Sequence, residues 1–206
     1  MIQSKAVAVV AAAAIITAFP LLIIVLATAS PGAPAQAAGP SAGTAGLSED
    51  PSALARTSIP VGYLAWYIGA ARTCQGLPWA VLAGIGKVES DHGQSDLPGV
   101  HAGANAAGAE GPMQFLPATF GEFAVDADPA QPVSPYDPAD AIYTAARMLC
   151  ADGARGGSPT GIDRAIFAYN HAGWYVTEVL SWAARYASPA SSAIAVPLPA
   201  DMASRP

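Results

Sequence analysis

Charge is scarce in this chain, and basic charge is scarcest. Asp, Glu, Lys and Arg make up 12% of the 206 residues; nine Lys and Arg stand against fifteen Asp and Glu, giving a formal net charge of −6. Phosphate backbones are bound through clustered Lys and Arg, so this composition excludes nucleic acid as a partner. No block of like charge marks an interaction tail, and the three His are isolated, which leaves no metal-binding tract. No stretch alternates convincingly between apolar and polar residues, which argues against a β domain. There is no internal repeat. Cysteine is limited to Cys74 and Cys150, without the Cys/His spacing of a zinc site.

Apolar residues are abundant, at 52%, but the figure is inflated by Ala and by one N-terminal run, Ala6 to Ala29, with Lys5 the only charged side chain before it. At ~1.5 Å per residue such a run spans a bilayer core. Pro20 would kink it, which membrane helices tolerate better than soluble ones. Two readings compete for residues 1–29. One is a signal peptide, with Ala27-Thr28-Ala29 or Ala35-Gln36-Ala37 as a small-x-small cleavage site. The other is an uncleaved signal anchor, favoured because a signal h-region is usually ~7–15 residues long. Either exports the remainder, and a single Lys on the N-terminal flank suits a cytoplasmic N-terminus. Export makes a disulfide the first reading of Cys74 and Cys150, with a free thiol pair or half a metal site as alternatives. Closing a loop of about 75 residues is worth roughly 4–5 kcal/mol in the chain-entropy model.

Residues 30–58 are rich in Ala, Pro, Gly, Ser and Thr and read as a flexible linker. Residues 188–206 return to that composition and read as a disordered tail. Between them, residues 59–187 suffice for one core. The signals there are helical. Val61 to Arg72 carries Leu64, Ile68 and Ala71 at helical spacing. Pro78 opens a segment with Trp79, Leu82, Ile85 and Val88, interrupted by Gly84 and Gly86, which admit a close backbone or ligand. His92 to Gly111 is an aperiodic, Gly-rich loop. Pro117 starts a short helix. Asp137-Pro138-Ala139-Asp140 supplies an N-cap, a first-turn Pro and an acid. Thr160-Gly-Ile-Asp163 loosely matches a capping box. Tyr175, Val179, Trp182 and Tyr186 mark the last helix. An all-α domain with long ordered loops, preceded by an N-terminal transmembrane helix, is the expected fold.

Glu89 is the one carboxylate at the end of an otherwise apolar helix. A carboxyl between a hydrophobic helix and a cleft loses hydration for its charged form, so its pKa rises and it can hold a proton near neutral pH, as a general acid must. Asp91 and Glu110 are possible second carboxylates but read as solvated loop charges. His92, His101 and His171 read as satisfied or exposed side chains. Trp79, Trp174, Tyr175 and Trp182 offer rings for sugar stacking, with most expected in the core.

Three segments occur in order: Gly86-Lys-Val-Glu-Ser-Asp-His-Gly93, Gly111-Pro-Met-Gln-Phe-Leu-Pro-Ala-Thr-Phe120 and Ala168-Tyr-Asn-His-Ala-Gly173. Together they resemble the lytic transglycosylases of peptidoglycan, in particular the soluble-lytic-transglycosylase type domains of actinobacteria that share features with membrane-bound transglycosylase B. The resemblance covers about Trp79 to Leu180. It implies a goose-type-lysozyme-like fold and cleavage of the MurNAc–GlcNAc β-1,4 bond, with formation of 1,6-anhydro-MurNAc ends. It also implies Glu89 as the single acid and base, and Ser90, Met113, Gln114, Tyr169 and Asn170 along the substrate. No cofactor or metal is implied. The expected partners are glycan strands and, through the N-terminal helix, the cytoplasmic membrane, for a monomer at the cell envelope. The chain is short and lacks the extra lobes and calcium-binding loop of some members. A hydrolytic muramidase and a non-catalytic glycan-binding protein of the same fold are the competing readings.

Overall fold

The structure, a computed structural model, describes Leu47 and residues 49–187. The N-terminal apolar run and the tail from residue 188 lie outside the described residues. Among the described residues, no helix is long and apolar enough to cross a membrane. Seven α-helices follow one another there: α1 (Ala53–Ser58), α2 (Val61–Ala71), α3 (Trp79–Ser90), α4 (Pro117–Phe123), α5 (Pro138–Leu149), α6 (Pro159–Tyr169) and α7 (Gly173–Ala187). A wide turn, Cys150–Ala154, extends α5 and breaks at Gly153, where φ is 128°. The one β feature among the described residues is an isolated bridge between Glu110 and Phe115.

Local chemistry explains where the helices start. Asp137 caps α5, its carboxylate accepting from the Asp140 amide at 3.0 Å, and Pro138 fills the first-turn position. Asp140 does more than favour the first turn. It is buried, and its carboxylate accepts from the amides of Ala127, Asp128 and Ser134, which shapes the Pro-rich connector before α5. Three boundaries differ from the sequence reading. Pro78 stands at the N-cap of α3 rather than inside its first turn. The cap of α6 is Ser158, which accepts from the Gly161 amide at 3.2 Å, and not the Thr160 pattern, because Pro159 sets the helix going two residues earlier. The end of the expected linker is folded: Ser52 caps α1, its amide donates to the Tyr186 carbonyl at 2.8 Å, and its hydroxyl donates to the Arg185 carbonyl at 3.0 Å. The domain therefore begins ahead of residue 59.

α3 runs through the middle of the domain, buried from Trp79 to Gly86. Its main neighbour is α7, and the two backbones meet at Gly84, where a Cβ would stand 2.5 Å from the Val179 carbonyl oxygen. Only glycine allows that approach. α2 and α5 close the other sides, with Tyr67, Ala70, Ile142, Ala145, Ala146 and Leu149 in the core. The Cys74–Cys150 disulfide is formed; it joins the segment after α2 to the end of α5, with the two Cα atoms 5.7 Å apart and a sequence separation of 76.

Candidate active site

The last turn of α3 carries Glu89 and ends abruptly. Asp91 and His92 both take left-handed backbone angles, with φ of 53° and 58°. The conformation lets the Asp91 and His92 amides cap the carbonyls of Lys87 and Gly86. Each non-glycine residue in this region costs about 1–2 kcal/mol, so the surroundings must hold the turn. Several bonds do so. The Ser90 hydroxyl donates to the Pro112 carbonyl at 2.6 Å and accepts from the Gly93 amide at 2.8 Å. The His92 ring, 1% exposed, lies between the hydroxyls of Tyr67, 3.1 Å from Nδ1, and Tyr186, 2.9 Å from Nε2. Gly86 makes room for Tyr67: a Cβ there would fall 1.9 Å from its hydroxyl oxygen.

Glu89 is half-buried, and its Oε1 accepts a 2.5 Å hydrogen bond from the Tyr175 hydroxyl. Burial pushes the carboxyl up from 4.5 to about 7; the Tyr175 bond, which favours the charged form, works the other way and loses. Tyr175 is itself buried, and its hydroxyl is held strongly protonated by burial and by the neighbouring Glu89 charge. Tyr169 stacks on Tyr175, with ring centroids 6.4 Å apart and planes 4° from parallel, and donates to the Met113 carbonyl at 2.7 Å. Burial and then Glu89 push the Tyr169 hydroxyl well above its ordinary range. One connected series thus runs from Glu89 through Tyr175 and Tyr169 to the loop bearing Met113 and Gln114.

The expected residues are not all alike in this setting. Gln114 is half-buried with φ of 49°; its Nε2 donates to the Gly111 carbonyl at 2.8 Å and its Oε1 accepts from Asn105 at 2.9 Å. Asn170, half-buried, ends α6 in an extended conformation. Ser90 and Met113 differ from the expectation of direct substrate contact: they are 2% and 0% exposed, Ser90 with its hydroxyl already engaged on both sides. Among the aromatic residues, Trp79 is core, Trp182 is packed between Lys87 and Arg185, and Trp174 is 65% exposed with its ring 5.8 Å from Tyr175. Asp91 pairs with Lys87 along the helix. Among the described residues no group of His, Cys, Asp and Glu could hold a metal. Two concavities, of about 400 and 350 Å³, flank the disulfide; neither is lined by Glu89, Gln114 or Tyr169.

Tyr175 as the partner of Glu89 is not legible as such in the sequence. It heads the apolar stripe of α7, where an aromatic reads as core. The one available signal is a hydroxyl at the start of a helix close behind Asn170.

A half-buried carboxyl at the end of a buried helix, accepting from a tyrosine hydroxyl and pushed up to about 7 by burial, is the distinguishing feature of the site. The family described as the transglycosylase SLT domain matches residues 92–164 of this chain. Among the described residues the fold is all-α, with long loops. Among solved structures, the Escherichia coli lytic transglycosylase SLT35 in complex with bulgecin A is similar at 16% identity, covering 62% of this chain and 74% of that one, with a TM-score of 0.47. The same Escherichia coli enzyme in complex with calcium is similar at 15% identity, covering 62% and 75%, with a TM-score of 0.46. None of the curated proteins compared matches the chain.

Proposed function

We propose that this chain cleaves the β-1,4 bond between MurNAc and GlcNAc in peptidoglycan and closes the MurNAc ring on itself, outside the cytoplasm. The observation that carries the reading is the setting of Glu89: a half-buried carboxyl in the last turn of a buried helix, accepting from the Tyr175 hydroxyl and pushed up to about 7 by burial. Glycosidases that use water place two carboxylates about the scissile bond. One suffices when the sugar supplies its own nucleophile. Protonated Glu89 gives its proton to the glycosidic oxygen as the C1–O4 bond breaks, and GlcNAc leaves with a new hydroxyl. The MurNAc C6 oxygen then bonds to C1, and the Glu89 carboxylate takes the proton from that hydroxyl. The acid is regenerated and no water is consumed. Tyr175 suits both halves: its hydrogen bond keeps the carboxyl oriented and stabilises the charge that appears between them.

Gln114 and Asn170 would meet the glycan's polar groups and Tyr169 would bound the cleft, while Ser90 and Met113 fix the wall behind them. Trp174, exposed beside Tyr175, offers a face for a sugar ring. The N-terminal apolar run would tether the enzyme to the membrane, and a glycan strand is the only partner this reading needs. Digestion of purified peptidoglycan with the full chain, followed by mass spectrometry, tests the mechanism. Anhydro ends are expected; products heavier by one water would make the enzyme a muramidase, and an undigested glycan would make it a binding protein.

A further inference from the structure

Glu89 stands in the last turn of its helix, and helix ends fray unless something fastens them. Here the fastening is unusual. Two successive left-handed residues, Asp91 and His92, turn the chain back under the helix, and neither is glycine. Such a turn persists only where its neighbours over-determine it. The backbone part is visible in the amides of Asp91 and His92 on the Gly86 and Lys87 carbonyls. The side-chain part is the fully enclosed imidazole of His92, which reaches α2 through Tyr67 at 3.1 Å and α7 through Tyr186 at 2.9 Å. Both tyrosines are 0% exposed. In either neutral tautomer one ring nitrogen accepts and the other donates, so both hydroxyls are satisfied with one donation in each direction. Tyr186 lies on the same helix as Tyr175, the partner of Glu89.

We propose that His92 is a positioning residue for Glu89: the Tyr67–His92–Tyr186 series locks the left-handed turn between α2 and α7 and so keeps the last turn of α3, with its carboxyl, shielded and in register with Tyr175. It does not touch substrate. Burial pushes the imidazole down to about 4, with Asp91 opposing and Lys87 adding to the effect, so the ring stays neutral wherever Glu89 titrates. Without the imidazole, two buried hydroxyls lose their partner, the turn relaxes, and the Glu89 carboxyl gains water. The inference rests on Glu89 as the reacting acid, but its central readout does not need activity.

The test uses the full chain labelled with ¹³C at the Glu side-chain carboxyls, the Glu89 signal being assigned by its loss in Glu89→Gln. In His92→Phe, which keeps ring volume and removes both nitrogens, the Glu89 midpoint should fall from about 7 by a pH unit or more toward 4.5. At temperatures well below unfolding, kcat on peptidoglycan should fall about tenfold or more with KM little changed. His92→Gln, whose amide carries a donor and an acceptor about as far apart as the ring nitrogens, should restore both. If His92→Phe does not fold, Tyr186→Phe, which deletes one oxygen at the far end of the series, must move the midpoint in the same direction. A Glu89 midpoint that stays at its wild-type value in the folded variant overturns the proposal, whatever happens to thermal stability. A midpoint that moves in a protein showing no glycan cleavage at all keeps the positioning role and removes the catalytic reading of Glu89 instead.

Discussion

Replacing Glu89 with Gln should make the protein more stable, by a margin that grows as pH rises from 4.5 to 7 and is full above that. Burial raises this carboxyl from 4.5 to about 7, so the folded state binds its proton more tightly than the unfolded chain does. For a carboxyl shifted in this direction, stability is greatest below 4.5, declines as pH rises between 4.5 and 7, and stays low above. At about 1.4 kcal/mol per pH unit, the burial of an ionised Glu89 costs about 3 kcal/mol at pH 8. The amide introduced by Glu89→Gln carries no such cost and can still accept from Tyr175 through its oxygen. Urea unfolding of the two proteins should therefore show the Gln variant ahead by about 3 kcal/mol at pH 8 and by less than about 0.5 kcal/mol at pH 4.5. In a domain of this size the gap at pH 8 corresponds to a Tm rise on the order of 10 °C. The same variant should lose glycan cleavage. A stability difference that is the same at both pH values, or a Gln variant that is weaker at pH 8, would refute the assignment of a costly buried acid at this position.

Three further outcomes follow from the geometry. Tyr175→Phe removes the hydrogen bond that lowers the Glu89 pKa, so the alkaline fall of the pH–rate profile, expected near 7 in the wild type, should move to higher pH, while kcat drops about tenfold or more from the loss of a bond to the charged carboxylate. Trp174→Ala should raise KM several-fold on glycan oligomers and leave the unfolding midpoint unchanged, because the indole is 65% exposed; steady-state kinetics and thermal melts separate the two effects. Replacing both Cys74 and Cys150 with Ser should cost about 2–5 kcal/mol in denaturant unfolding, and a reducing agent should impose a similar loss on the wild type alone.

The features legible in the sequence are those with a local cause. Pro117, Asp137 and Pro138 announce their helices through cap and first-turn chemistry, and the structure starts helices there. Gly84 reads as a point of close backbone approach, and the Val179 carbonyl is the group it admits. The isolated cysteines read first as a disulfide, which they form. What escapes is set by contacts distant in the chain. α1 is too short for a periodic pattern and is held by α7 through Ser52, so its composition looks like linker. Tyr175 lies on an apolar stripe, and nothing local separates a tyrosine that fills the core from one that reaches Glu89 across the domain. Ser90 follows Glu89 in sequence, yet the helix ends at that point and directs its hydroxyl inward to Pro112. His92 carries no pattern of its own, and its two tyrosine partners come from 25 residues before and 94 residues after it.

The two bonds from Ser52 to the carbonyls of Tyr186 and Arg185 have a mechanical implication. They bring the ends of the domain to one spot, as a buckle does with a belt. Tension applied through either flank would be met by those two hydrogen bonds before it reached the helix that holds Glu89.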